Sequence, residues 1–362
     1  MNLKKPAALL LAALSAGTLL TGCSLMKIEG KILTKEEVLS GEETSDARFV
    51  RSVSLHDIRY NLYDDHAEMI GFLSSYSASV LSVPRVVENK TVTAVNPTGY
   101  IPESLTSVTF EDCVTYIGDE AFRDFTNLRS VTIPESVTHI GAHAFEGTAW
   151  IKEKQSEDPL VMVNSILING QAAIGDVSVR SGVTCIAAGA FEGNKAITAV
   201  SLPGSVYVIG DRAFANCEGM TKVSFGMSPS LVKIGALSFQ NTPLTTVKLP
   251  AKVETLGAAA FAGCEELTRV DLPGALTSIG DKAFYDCASL ETVEFPMSVT
   301  EIGEAAFGYC TSLKSATVFN RECKICTDDD TFGTNPDFVL YGRKDSTAQA
   351  YATACGYEFK AY

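Results

Sequence analysis

The sequence predicts an α/β repeat in which short strand-and-turn units stack into a solenoid. Two observations predict it: a phenylalanine recurs at nearly constant spacing, and one apolar pattern recurs around it. Successive copies of this phenylalanine lie 22, 23 or 25 residues apart, with a single interval of 46 that equals two units: Phe122, Phe145, Phe191, Phe214, Phe239, Phe261, Phe284 and Phe307. A fixed period of this size is typical of solenoids. Because no single unit can bury its own apolar side, the units are expected to stack on one another.

Each unit is close to LxxVxLPxSVTxIGxxAFxxC, as in residues 269–287 (RVDLPGALTSIGDKAFYDC). Alternating apolar residues predict a short strand, and the proline ends its hydrogen-bonding ladder. The second apolar pair brings the chain back across the core, and the AF pair then opens about one helical turn. A glycine precedes that turn in most copies, where we expect a tight or positive-φ corner; only Ala187 breaks the column of Gly118, Gly141, Gly210, Gly235, Gly257, Gly280 and Gly303.

The N-terminus predicts export. Residues 1–22 contain Lys4, Lys5 and an apolar run from Ala7 to Leu20, which is the pattern of a signal peptide and is too short for a membrane-spanning helix. The run ends in Leu-Thr-Gly-Cys, which resembles a bacterial lipobox and predicts that Cys23 is diacylated and becomes the first mature residue. Two acyl chains give stable membrane attachment. We therefore expect an exported protein that is lipid-anchored to the bacterial cell envelope and faces outside the cytoplasm.

The remaining organisation follows along the chain. Residues 23–45 are polar and predict a lipidated tether. Residues 46–100 predict an N-terminal cap with a degenerate first repeat, where two strands flank Asp64-Asp65. Residues 101–333 form the repeats, interrupted at about 149–173 by an excursion for which Asn169-Gly170 is a hairpin signal. Residues 334–362 predict a C-terminal cap.

The C-terminal cap includes a predicted helix in STAQAYATACG. Ser346 and Gln349 fit a capping box at its start, and Gly356 fits the residue just past its end. The strand-like segments FVLYG and YEFKAY flank this helix. A cap of this kind is needed because the last coil would otherwise expose its core.

The repeat resembles the leucine-rich repeats of the BspA type, also called the Treponema pallidum type. The resemblance covers residues from about Asp46 to the C-terminus and is carried by eight copies of a corner similar to I/L-G-x-x-A-F. It implies a leucine-rich-repeat solenoid with a parallel β-sheet on one face and terminal caps. It also implies a surface lipoprotein, since members of this family are often adhesins or proteins that interact with a host.

Composition and charge narrow the function. The chain has 362 residues and a net charge of −14. Loss of the two signal-peptide lysines leaves 27 basic and 43 acidic side chains, a net charge of −16. Such a chain has no basic field for nucleic acid. The repeats leave no span for a catalytic domain, and no nucleophile elbow or phosphate-binding glycine loop is present. We therefore expect no enzyme activity and no cofactor.

The ten cysteines divide into one lipid acceptor, one repeated column and five others. Three residues after the repeat phenylalanine stand Cys217, Cys264, Cys287 and Cys310. We expect these thiols to fill space and to bond weakly to the backbone of the turn. The pair Cys323 and Cys326 leaves three interpretations open: structural thiols, a disulfide that is either local or formed with the tail at Cys355, or a functional site such as a redox centre.

Two clusters contain residue types that can bind metal ions. His139 and His143 are four residues apart, but Gly141 breaks any shared helix and their columns look exposed and variable. Asp328, Asp329 and Asp330 lack the alternating carboxylates of a calcium loop. The sequence therefore predicts no metal site.

The solenoid's strand face is the predicted binding surface, because outward positions flank each central valine. From Lys222 onward these positions become charged, and the candidate ligand-binding residues are Lys222, Ser224, Thr246, Lys248, Arg269, Asp271, Thr292 and Glu294. A rigid extended face of this kind suits recognition of an extracellular or host protein or glycan. The alternatives are a structural envelope component without a dedicated ligand and a thiol-based redox protein that uses Cys323 and Cys326. We expect a monomer.

Overall fold

The computed structural model describes residues 47–326, 331–333 and 335–362, which wind into a solenoid of stacked coils. Within these residues the N-terminal strands are β1 (Phe49–Leu55), β2 (Ile58–Tyr63), β3 (His66–Phe72), β4 (Val80–Ser82), β5 (Val86–Val87), β6 (Lys90–Val95), β7 (Ser107–Thr109), β8 (Tyr116–Ile117), β9 (Ser130–Thr132) and β10 (His139–Ile140). The next elements are α1 (Ala149–Glu157), β11 (Val161–Val163), β12 (Ile166–Asn169), β13 (Gly175–Ser178), β14 (Cys185–Ile186), β15 (Ile197–Leu202), β16 (Val208–Ile209), β17 (Lys222–Phe225), β18 (Lys233–Ile234), β19 (Thr246–Lys248) and β20 (Thr255–Leu256). The last elements are β21 (Arg269–Asp271), β22 (Ser278–Ile279), β23 (Thr292–Phe295), β24 (Glu301–Ile302), β25 (Ser315–Val318), β26 (Lys324–Ile325), β27 (Val339–Gly342), α2 (Thr347–Cys355) and β28 (Glu358–Ala361).

The coils present parallel strands on two sides. On the first side, the strand face, the strands pair in the groups β4-β7-β9, β13-β15-β17, β19-β21 and β23-β25-β27-β28. On the second side, the short ladder, two-residue pairings run through β6-β8-β10 and through β12-β14-β16-β18-β20-β22-β24-β26. The predicted solenoid with parallel strands is confirmed, and the short ladder adds a second parallel side to the single one that the resemblance implies.

The turn around the AF pair, the AF corner, is tighter than the expected helical turn. In the corner of Phe214, the N–H groups of Ala213 and Ala215 donate to carbonyls three residues back, and the N–H of Phe214 itself donates to Ser238 O of the next coil at 2.8 Å. This alternation requires left-handed backbone at two positions in each corner, here Arg212 (φ 54°) and Asn216 (φ 58°). Every second amide of the corner therefore connects neighbouring coils.

Glycine is required in this column because neighbouring coils approach each other closely there. None of its seven members has positive φ, so of the two expected alternatives, a tight corner or a positive-φ corner, the second is wrong for this column. A Cβ on Gly257 would lie 2.4 Å from the backbone nitrogen of Ala236 in the preceding coil, and one on Gly210 would lie 2.5 Å from that of Ala188. Ala187 follows the insert, where the chain runs as β12 instead of forming an AF corner.

The core is a column of stacked phenylalanine rings. From Phe191 to Phe307 the ring centroids of neighbouring coils are 5.0–5.3 Å apart and the rings are within 16° of parallel. All six of these side chains are fully buried. Phe122 and Phe145 form a second, shorter stack at 5.6 Å.

The two stacks are separated by the insert, residues 149–173, which contains α1 and the hairpin β11-β12. Thr148 caps α1 by accepting from Ile151 N, and the ring of Trp150 packs edge-on against Phe145 at 4.9 Å. The hairpin turns at Asn164-Ser165, where Asn164 has φ 53°, so the expected turn at Asn169-Gly170 is wrong.

Gly170 follows the hairpin and serves the packing of the next coil. A Cβ there would lie 2.1 Å from the ring of Phe191. Only glycine at this position leaves room for that ring. The glycine of the Asn169-Gly170 pair therefore serves packing, and the pair does not form the hairpin turn.

The end segments agree with the sequence. Strands β2 and β3 are antiparallel around Asp64-Asp65, and β1 pairs with β2. At the other end Ser346 accepts a hydrogen bond from Gln349 N, and Gly356 closes α2 with φ 75°. The helix connects the parallel strands β27 and β28.

Candidate binding face

The predicted ligand-binding residues lie on four successive strands of the strand face, β17, β19, β21 and β23. Each central residue points inward: Val247 and Val293 are buried, whereas their neighbours on both sides are exposed. The register aligns Thr246 with Arg269 and Lys248 with Asp271. The structure therefore brings the eight predicted side chains together on one side of the molecule.

The face is divided into separate sheets, a feature that the sequence did not reveal. Strand pairing is absent between β17 and β19 and between β21 and β23 within the described part of the chain. The chain between β17 and β18 includes Gly226 to Ser230, where Met227 is 95% exposed. This longer coil lies beside the start of the charged region.

The charges on the face are mixed. Arg269 Nε lies 2.7 Å from Asp271 Oδ1 along the same strand, and Lys248 is the register neighbour of Asp271. Lys222 and Glu294 are exposed at the two ends of the region. A ligand with both acidic and basic groups, such as a protein surface, complements this arrangement.

The borders of the face are fixed by contacts between coils. Thr268 Oγ1 donates to Thr245 O of the preceding coil at 3.0 Å. The ion pairs Lys195–Glu218 at 2.8 Å and Lys314–Glu291 at 3.0 Å likewise join successive coils beside the face. The candidate face is thus bordered by contacts between coils, and its central valines pack against the core.

The repeated cysteines serve packing. Cys287 Sγ donates to Phe261 O at 3.3 Å, and Cys310 Sγ donates to Phe284 O at 3.1 Å, in each case to the phenylalanine of the preceding coil. Thr242 holds the same column and donates its hydroxyl to Phe239 O. Burial raises the pKa of Cys217 to about 12 and that of Cys264 to about 11. The predicted weak bond to the turn backbone is confirmed, and the thiols of Cys217 and Cys264 stay protonated at neutral pH.

The pair Cys323 and Cys326 flanks β26. Cys323 is fully buried, and burial raises the pKa of its thiol to about 12. Since the thiolate is the reactive form of cysteine, a thiol with this pKa is a poor nucleophile. The geometry therefore disfavours redox chemistry at Cys323.

The histidines differ from the exposed positions that the sequence indicated. His139 is buried and stacks on Tyr116 with ring centroids 4.3 Å apart. His143 contacts Glu146 and Glu192. In the described ranges no group of three or more His, Cys, Asp and Glu side chains is placed to hold a metal ion. Cys23 and Asp328 to Asp330 lie outside the described residues.

Sequence reasoning missed a cavity of about 310 Å³ between the first AF corner and residues 97–101. Tyr100 and Ile101 line one side, and Glu120, Arg123 and Asp124 line the other. The signal was available: NPTGY lacks the AF pair, so this coil leaves its corner unfilled. Arg123 is held by Glu120 and Glu146, which leaves an acidic lining.

Comparison with known proteins identifies the repeat. The model of the BspA type leucine rich repeat region matches residues 95–221 and 232–328 with six copies. No curated protein matches the chain. In the described residues no helix is long and apolar enough to cross a membrane.

Solved structures show similar repeats. A leucine rich cell surface protein from Faecalibacterium prausnitzii is 20% identical, with 84% of this chain and 98% of that chain covered and a TM-score of 0.34. A leucine-rich repeat protein from Eubacterium ventriosum is 20% identical, with 82% and 80% covered and a TM-score of 0.39. The leucine rich repeat protein of T. pallidum is 15% identical, with 86% and 98% covered and a TM-score of 0.26.

Proposed function

Because the chain belongs to the BspA type of leucine-rich repeat proteins, we propose that it is a binding module of the bacterial cell surface that recognises a protein or glycan through its strand face. The supporting observation is the placement of Lys222 to Glu294. These side chains stand on four successive strands at the outward positions, and six of the eight are exposed, with Ser224 and Asp271 half-buried. A rigid solenoid surface is suited to recognition because it loses little conformational freedom on binding.

The mixed charge favours a protein partner, extracellular or from a host, over a uniformly charged polymer. Lys222, Lys248 and Arg269 form a basic group, with Asp271 and Glu294 beside it. Complementary charge sets orientation and association rate more than affinity. We expect binding to weaken as salt is raised.

A charge-reversal variant tests the face. Lys222→Glu, Lys248→Glu and Arg269→Glu together should reduce capture of partners from host matrix or envelope fractions at least tenfold. The matched control reverses Lys233, Arg212 and Lys282 on the short ladder and AF corners. Glutamate already occupies those columns as Glu301 and Glu120, so the control keeps the fold and net charge of the variant.

Equal capture by the variant and its control would contradict the assignment of the face. Capture of nothing by the wild-type protein from either fraction would favour the alternative, a structural envelope component. The redox alternative is disfavoured by the raised pKa of Cys323.

We also propose that the protein is exported and lipid-anchored at Cys23. The support is the order of Lys4-Lys5, the apolar run and Leu-Thr-Gly-Cys in the sequence. Cys23→Ala should abolish incorporation of labelled fatty acid and release the protein from membranes. Retained labelling in that variant would contradict the anchor.

A further inference from the structure

The hydrogen-bond ladders between coils all stop at the insert. On the strand face β9 ends one sheet and β13 begins the next, and on the short ladder β10 ends one sheet and β11 begins the next. The phenylalanine stack stops at Phe145 and resumes at Phe191. The insert therefore separates two stacks of coils: the N-terminal stack, which ends with β10 and the corner of Phe145, and the C-terminal stack, which begins with β13.

The insert is held tightly by the C-terminal stack. Strand β12 pairs in parallel with β14. Asn194 Nδ2 donates to Gly170 O and Ala173 O, each at 2.9 Å, and Gln171 Nε2 donates to Glu192 O at 2.7 Å. The insert and the C-terminal stack thus form one body.

The N-terminal stack holds the insert by fewer contacts. Trp150 N donates to Leu128 O at 2.8 Å, and Asn164 Nδ2 donates to Pro134 O at 3.1 Å and Val137 O at 3.2 Å. Between the coils from Phe191 to Phe284, by contrast, three alternate amides of each AF corner join the next coil and the short ladder is continuous, although the strand-face ladder is interrupted between β17 and β19 and between β21 and β23. Within the described residues, the junction between the coil of Phe145 and the insert is therefore the place where both strand ladders and the phenylalanine stack are interrupted together.

Among the described residues, an ionic contact between side chains crosses this junction directly. His143 Nε2 lies 2.9 Å from Glu192 Oε2, although 49 residues separate them. His143 Nδ1 lies 3.1 Å from Glu146 Oε2 in its own coil. The imidazole of His143 contacts the C-terminal stack directly. It lies so close to Gly189 that a Cβ on that residue would be 2.7 Å from His143 Nε2. Glycine at 189 gives the ring its place against the C-terminal stack.

We propose that this junction is a pH-dependent joint, closed by protonated His143 bridging Glu146 and Glu192 and loosened when His143 is neutral. A protonated imidazole donates from both nitrogens and can satisfy both carboxylates, whereas the neutral ring donates from one nitrogen only. Loss of the proton therefore removes one of the two donated hydrogen bonds and the charge attraction of His143 to both carboxylates. The two stacks then move relative to each other about the remaining contacts of Trp150 and Asn164.

The charges around His143 support the protonated form. The pKa of His143 is raised above 6.5, first by the hydrogen bond to Glu192 and then by the charge of Glu146. Burial and the charge of Arg123 act in the opposite direction and lower it. Asp119 in the preceding coil adds a further negative charge. The insert contributes only neutral Ile151, Ile168 and Asn169 to the small cavity beside the ring. Because the folded pKa is the higher one, the stabilisation is fully present below pH 6.5 and is lost as pH rises through the folded pKa.

Hydrogen exchange of the full chain at pH 5.5 and pH 8.5, corrected for intrinsic rates, tests the joint. In the wild-type protein, protection of the Trp150 amide should fall about tenfold at the higher pH, as expected for loss of one charge-assisted hydrogen bond. Amides within β15 and β24 should keep their protection. His143→Gln should show the lower protection of Trp150 at both pH values.

Two further variants keep the test decisive. Glu192→Gln removes the charge while keeping a hydrogen-bonding side chain, and should abolish the pH dependence even if His143→Gln folds poorly. His66→Gln is the matched control, since His66 also pairs with carboxylates, Asp65 and Glu68, but lies in the N-terminal cap. A wild-type pH response that survives in Glu192→Gln, or no wild-type response, would overturn the proposal.

Discussion

Replacing Gly257 by alanine tests the explanation given for the glycine column. Gly257 has ordinary φ, so the alanine backbone itself is unstrained. Its Cβ, however, would lie 2.4 Å from Ala236 N and 2.5 Å from the carbonyl carbon of Gly235. Backbone atoms cannot rotate away as a flexible side chain would. The two coils must therefore separate locally.

The cost follows from what that separation disturbs. Gly257 N donates to Ile234 O, and Leu237 N donates to Ala258 O, both at 2.9 Å between the same two coils. Overpacking costs about 1–3 kcal/mol, and each weakened hydrogen bond costs about 1 kcal/mol. We expect the free energy of unfolding to fall by roughly 3–5 kcal/mol.

Gly274→Ala is the matched control, because a Cβ at Gly274 would meet no atom within 4 Å and its φ is not positive. That substitution should be neutral or stabilising by about 0.4–1 kcal/mol. Urea unfolding followed by far-ultraviolet circular dichroism measures both. If the two variants differ by less than about 0.5 kcal/mol, within the usual effect of a surface substitution, close approach is not the reason for the column.

Three further predictions concern single groups. Burial raises the pKa of Asp211, so its contribution to stability should rise as pH falls from neutral through that pKa. Asp211→Asn keeps an acceptor for Ala236 N. This variant should be more stable than the wild-type protein at pH 7 and should show a flatter profile of Tm against pH. The thiol of Cys217, with a pKa of about 12, should resist iodoacetamide at pH 8 in the folded state and react in urea; rapid labelling of the folded protein would show that it is accessible. Ser346→Ala removes the cap of α2 and should cost about 1 kcal/mol in urea unfolding, whereas Ser346→Asp should cost little; equal losses would contradict the capping role.

Periodicity explains why so much of the fold was predictable. Each column of the repeat is sampled many times, so the core role of Phe214 or Phe261 is evident without any three-dimensional information. The outward positions of the binding face follow from the same alternation. The sequence therefore indicated which residues of β17 to β23 point outward.

Other features depend on contacts that recurrence does not encode. Arg212 and Leu237 adopt positive φ because the alternating bonds of the AF corner demand it, and neither residue type signals such a backbone. The Asn169-Gly170 pair suggested a turn, yet its glycine accommodates the ring of Phe191. The gap between β17 and β19 and the cavity near Tyr100 arise where a coil departs from the common length or loses its corner. A coil of unusual length or without an AF pair can be recognised in the sequence. The sequence does not show what geometry the chain adopts there.

Equivalent residues of neighbouring coils lie in the same register. The molecule can therefore become shorter or longer by one whole coil at a time. Thr246 and Arg269 occupy the same register position one coil apart, so deletion of residues 246–268 would join chain ends that already have the same surroundings. Phe239 would then stack on Phe284 in place of Phe261. The molecule would shorten by about 4.8 Å, one strand spacing, without any new kind of junction. Unequal recombination between coils can therefore lengthen or shorten the binding face while leaving both caps intact.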